Sequence, residues 1–223
     1  MFRLPLALTL SLLALPLHSP SVHAATPAVK VLIVLPALAH LPRMFSLITG
    51  EAASIWRAAD VEIQWAERLP DSNAPVDRII TLLFTNNLPG RSAQTPGALG
   101  AVQLVHGRMR QLIYVSPAAV QVLVAKAGVS PATGHFDVVY ARMLGRVIAH
   151  ELGHLLLNTS AHRDSGVMRA KFVARDAMSG DVNRFALAAD DVARLAGLRL
   201  ARAEPPATGP PASAPSEPAP PRR

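Results

Sequence analysis

Cysteine is absent from all 223 residues, which excludes a disulfide framework, a thiolate metal site, a thiol nucleophile and lipid attachment through an N-terminal cysteine. The fold has to be held by burial alone, and this length suffices for one well-buried domain with a tail rather than two domains. Aromatic side chains are scarce: six Phe, two Tyr and two Trp. With so few stacking platforms and with basic residues scattered rather than striped, the formal charge of +7 reads as solubility and mild attraction to anionic surfaces. Nucleic acid is not an expected partner. Long apolar runs are missing beyond the first twenty residues although half of the chain is hydrophobic, so no stable membrane insertion is expected of the body of the chain.

The first residues differ in character. Arg3 gives a positive start, Leu4 to Leu17 is apolar, and Val22-His23-Ala24 offers small-residue cleavage chemistry before Ala25. This pattern predicts a secretory signal peptide over 1–24 and a secreted or periplasmic protein. The apolar stretch, weakened by Pro5 and Pro16, is too short for a comfortable membrane-spanning helix. At the other end, 203–223 is proline-rich low complexity that cannot build a packed core and is expected to be a disordered tail. One folded domain over 25–202 remains.

Within that domain the β-branched run VKVLIVL, Val29 to Leu35, predicts a buried strand ending at Pro36. Arg43 to Ala59 has helical spacing, with Phe45, Ile48, Ala52, Ile55 and Trp56 on one side. Strands follow at Val61–Ala66 and Arg78–Phe84, then a loop over Arg91–Gly97 and a weaker strand at Leu99–His106 interrupted by Gly100. Gly107 turns the chain into a strand at Arg110–Val115, and Ser116-Pro117 starts a helix over Ala118–Ala127. After a break at Gly128–Gly134, Phe136 to Leu157 is apolar on nearly every face, with Val138, Met143, Leu144, Val147, Ile148, Leu152 and Leu155, and predicts a buried central helix. Gly145 and Gly153 inside it cost helix propensity, which points to close approach of neighbouring groups. A final amphipathic helix is expected around Leu187–Leu198.

The apolar helix contains His150-Glu151-Leu152-Gly153-His154. Residues four apart share a helix face, with Cβ atoms about 5–6 Å apart, so two imidazoles can converge on one zinc ion at about 2.0–2.1 Å. Glu151 then stands beside the metal without having to coordinate it. The expected chemistry is peptide hydrolysis, in which zinc lowers the pKa of its water and Glu151 takes the proton and passes it to the leaving amine. Three adjacent polar side chains in so apolar a helix would be expensive without such a partner. Asn158 tolerates the left-handed backbone of a helix stop. The chain can therefore turn back and bring His162 under the ion as third ligand, with Asp164, the nearest carboxylate, as the alternative.

The segment HELGHLLLNTSAH followed by RDSGVM resembles a zincin, and more narrowly a metzincin-like zinc metallopeptidase. His150, Glu151 and His154 match the family motif position by position. Leu157 and Ser160 stand where the family has glycine and a third histidine, so Asn158 and His162 would take over those roles one and two residues later. The resemblance implies an α+β, zincin-like fold: a mixed twisted sheet with helices, a central active-site helix and a small, mostly helical C-terminal subdomain. It also implies a methionine turn at Met168, and a substrate-pairing edge strand with Leu99, Gly100, Ala101 and Val102, where Gly100 permits close backbone approach. Peptide or protein is then the expected substrate and Zn2+ the expected cofactor. The competing reading is a non-catalytic secreted zinc protein acting at a cell surface; an intact Glu151 argues against it, because a structural zinc has four protein ligands and no use for a base.

His135 and His106 are expected at the surface or at caps, and Tyr140 in packing. Arg163 and Arg169 are the nearest cations for oxyanion stabilisation, a role the metal alone can fill. The first strand follows Ala25 so closely that no prodomain fits between them, and an exported enzyme not held latent by its own propeptide is expected.

Overall fold

A computed structural model describes residues 29–36, 43–70, 75–90 and 95–203. The expected signal peptide and the proline-rich segment after Ala203 lie outside the described residues.

The β-branched runs form a five-stranded mixed sheet. Val29–Val34 (β1) pairs in parallel with Val61–Ala66 (β2) on one side and with Arg78–Phe84 (β3) on the other. Arg108–Val115 (β5) adds in parallel to β3, and Gly100–Val105 (β4) closes the order β2-β1-β3-β5-β4 as an antiparallel edge strand. Val105 pairs with Arg108, so His106 and Gly107 form a two-residue hairpin turn with φ of 50° and 73°. Positive φ at both positions is what a turn matching the strand twist requires. His106 therefore has a backbone duty.

Phe45–Arg57 (α1) and Phe136–Leu156 (α3) pack against each other beside the sheet, while Pro117–Lys126 (α2) flanks α3. The start of α2 is as expected: the Ser116 hydroxyl accepts from the Ala119 N–H at 3.2 Å, and Pro117 occupies the first turn. Helices α1 and α3 approach so closely at Gly145 that a Cβ there would stand 2.6 Å from the Ile48 carbonyl oxygen. The core gathers Val31, Ile33, Ile80, Leu82, Ile113 and Val115 of the sheet with Ile48, Ile55 and Trp56 of α1 and Met143, Leu144, Val147 and Ile148 of α3.

Beyond α3 the chain forms an irregular loop, then Ala174–Met178 (α4), a 3-10 turn at Val182–Phe185 and Ala189–Ala203 (α5). The last helix begins two residues later than its apolar spacing suggested and continues through Ala203, the first residue of the expected tail. Val138 also departs from expectation: it is 37% exposed, on the outer side of α3 near its start. The reverse surprise is Arg146, wholly buried in mid-helix.

Candidate metal centre and cleft

The middle of α3 delivers His150 and His154 to one side, and the helix end sets the third imidazole. Asn158 has φ of 46°. The Asn158 N–H donates to the Leu155 carbonyl at 3.4 Å and the Thr159 N–H to the His154 carbonyl at 3.1 Å. This pair of bonds closes the helix while reversing the chain. His162 comes back over the helix, and the ligand-capable atoms of His150, His154 and His162 all lie within 4.8 Å of one another. The His162 ring lies nearly parallel to that of His150, centroids 5.2 Å apart, and perpendicular to that of His154 at 5.0 Å. Asp164 is outside this cluster among the described residues.

The hydrogen bonds fix what each imidazole offers. His150 Nδ1 lies 2.8 Å from the Val167 carbonyl oxygen and His154 Nδ1 2.7 Å from that of Thr159. A carbonyl oxygen only accepts, so both Nδ1 atoms carry protons and, in the neutral rings, both Nε2 atoms are bare acceptors. These two acceptors face each other at 3.1 Å in a buried setting. Burial, reinforced by the neighbouring His154, pushes His150 down to about 4, and burial likewise lowers His154 and His162. The rings are thus neutral near pH 7. Two bare nitrogens so close repel unless a cation joins them, and the gap is near the roughly 3.3 Å expected of two nitrogens about 2.0–2.1 Å from one tetrahedral ion. The donor set is close enough to bind a metal ion.

The Glu151 side chain lies against Gly100 of the edge strand β4. It is 5% exposed, and burial pushes its carboxyl up to about 8. A Cβ placed on Gly100 would meet Glu151 Oε1 at 2.7 Å and its Cγ at 2.9 Å. Gly100 therefore admits the Glu151 side chain, a role distinct from the backbone approach expected of it. In the β4–β5 ladder Leu99 O accepts from Ser116 N at 2.8 Å, so by antiparallel alternation the backbone groups of Gly100 and Val102 face the free edge.

Met168 is 2% exposed and lies against the same helix: a Cβ on Gly153 would stand within bonding reach of its sulfur. The loop around it is pinned by Arg163 N–H to the Met168 carbonyl at 2.8 Å. Arg169 donates to the Gly166 carbonyl at 2.8 Å, to Asp176 Oδ1 at 2.8 Å and to the Arg184 carbonyl at 2.9 Å. Arg163 is paired with Asp191 at 2.6 Å. Both guanidinium groups are engaged in ion pairs, Arg163 with Asp191 and Arg169 with Asp176. Tyr140 packs as expected, its ring stacked on Phe136 and its hydroxyl donating to the Pro117 carbonyl. His135 is exposed at the start of α3 and makes no side-chain cap bond.

Arg146, four residues before His150, was not anticipated. It donates to Glu51 of α1 at 2.6 Å and to the carbonyls of Asp176 and Ser179, and its guanidinium lies 4.1 Å over the Phe185 ring. The sequence placed Arg146 and Arg142 in a largely apolar helix but did not say which of the two is buried; a buried cation calls for partners.

The histidines and Glu151 open onto a cleft of about 890 Å³ bordered by β4, α2 and the segment after Met168. Compared with known proteins, the chain matches no family model and no curated protein.

Proposed function

We propose that the protein is a secreted or periplasmic zinc-dependent peptidase of zincin type, metzincin-like in its helix motif and methionine loop. The observation that carries this reading is the pair of buried, bare Nε2 atoms at 3.1 Å, joined by a third imidazole and flanked by a sequestered carboxyl group.

His150, His154 and His162 would hold the zinc, with the backbone carbonyls of Val167 and Thr159 fixing the tautomer of the first two. Three protein ligands leave an open position, as catalytic rather than structural zinc requires. When bound, zinc acts as a Lewis acid that lowers the pKa of water and polarises a carbonyl. Glu151 receives the proton of the attacking water and delivers it to the departing amine. Its raised pKa in the protein alone follows from burial; a dication held by the adjacent imidazoles favours the ionised, basic form. The free edge of β4 offers backbone groups to an extended peptide, at Gly100 and Val102.

Hydrolysis of a mixed peptide library, abolished by a chelator and restored by zinc, is the expected result. Glu151→Gln is expected to retain one zinc per chain and to lose at least about a hundredfold in kcat. A zinc-loaded wild-type protein that cleaves nothing, or a Glu151→Gln variant as fast as wild type, would overturn the assignment.

A further inference from the structure

The cleft that serves the proposed peptidase is unbalanced in charge. Among the described residues its border holds three basic side chains, Lys126, Arg169 and Lys171, and a single carboxyl group, that of Glu151. Glu151 is buried, its side chain packed against Gly100 of β4, so it offers an incoming peptide no exposed negative charge. Arg169 is neutralised by Asp176. Lys126 and Lys171 are exposed, and neither forms an ion pair among the described residues. They come from separate elements: Lys126 is the last residue of α2, and Lys171 belongs to the stretch between Met168 and α4. Together with the dication that the three histidines would hold, these two ammonium groups would make the cleft positive, and walls of low dielectric would focus that field on whatever enters.

The same cleft carries an apolar shelf. Leu104 of β4 is 59% exposed and Val122 of α2 is 55% exposed, and both border it together with Met109 and Leu123. Large side chains left so open are covered when an apolar group of the ligand lies on them, and the charged ends of Lys126 and Lys171 then need anionic partners.

Resting on the peptidase reading, we infer that the substrates are acidic peptides, in which Asp or Glu residues near the scissile bond engage Lys126 and Lys171 while a large apolar side chain covers Leu104 and Val122. Lys126 and Lys171 are then specificity-determining residues, and the selection is electrostatic.

The test compares zinc-loaded full-length protein on matched peptide pairs that differ only by Glu for Gln at positions flanking the cleavage site. The expected kcat/KM ratio favours Glu by about fivefold for each lysine engaged and shrinks as salt is raised from 0.05 to 0.5 M, since the Debye length falls with ionic strength. Lys126→Glu and Lys171→Glu are each expected to lower the ratio, and the double variant to favour Lys-containing over Gln-containing partners. A merely structural role for the lysines would change rates on both peptides alike and leave the ratio intact. Cleavage with no Glu preference, or a preference untouched by salt and by both variants, overturns this inference while leaving the peptidase reading in place. Absence of cleavage of every peptide by zinc-loaded protein overturns both.

Discussion

Glu151 and Gly100 form a pair across two elements, because the Glu151 carboxyl group occupies the space that any other residue on the strand would fill with its own Cβ. The contacting atoms include Glu151 Cγ at 2.9 Å, so the acid cannot yield by a small swing of its oxygens alone. Gly100→Ala is expected to displace Glu151 and to lower kcat by about tenfold or more while the zinc content stays at one per chain; a positional error of about 1 Å at a reacting group is enough for such a loss. Metal analysis beside single-turnover kinetics checks both halves. The histidines pose a different question at the same scale, since their tautomers are set by two backbone oxygens. Arg169 holds the loop that presents one of them, Val167 O, through its bond to Gly166 O. Arg169→Ala is expected to weaken zinc affinity by about 10- to 100-fold, measured by competition with a chromogenic chelator.

At the scale of elements, the end of α3 decides the site. Asn158 in the left-handed region allows the reversal that returns His162. Asn158→Ala is expected to destabilise the protein by about 1 kcal/mol, because Ala lacks the short polar side chain by which Asn offsets the left-handed conformation, whereas Asn158→Gly, with no Cβ to strain, should be nearly neutral. Urea midpoints at constant m separate the two outcomes. The helix motif was legible in the sequence because it depends only on spacing along one regular element. His162 was legible in part: the helix stop and the short return could be read, but the choice between His162 and Asp164 rested on a loop whose course is set by contacts from Met168, Arg163 and Asp191. The hairpin at His106-Gly107 was half legible, Gly107 marking the turn while the positive φ of His106 follows from the strand register.

For the molecule as a whole, Arg146 ties α3 to α1 and to the C-terminal segments through one guanidinium group that has no access to solvent. Arg146→Met leaves Glu51 and two carbonyls without their donor, and is expected to cost about 3–5 kcal/mol. Chemical denaturation of the zinc-free protein checks this apart from any effect on the metal. Zinc itself should stabilise by mass action. With the ion about 1,000-fold above its dissociation constant the gain is about 4 kcal/mol, so chelation is expected to lower Tm by about 8–16 °C, read by calorimetry.

By itself the amino-acid sequence determined the elements with strong local periodicity, the two imidazoles four residues apart and the carboxylate beside them, because these follow from the pitch of a helix and the alternation of a strand. Only the tertiary structure decided that Gly100 makes room for Glu151, that Arg163 and Arg169 are bonded to Asp191 and Asp176, and that the third imidazole joins the first two. Each of these depends on which distant segments share a space, and that is set by burying apolar surface between elements rather than by the residues next to one another along the chain.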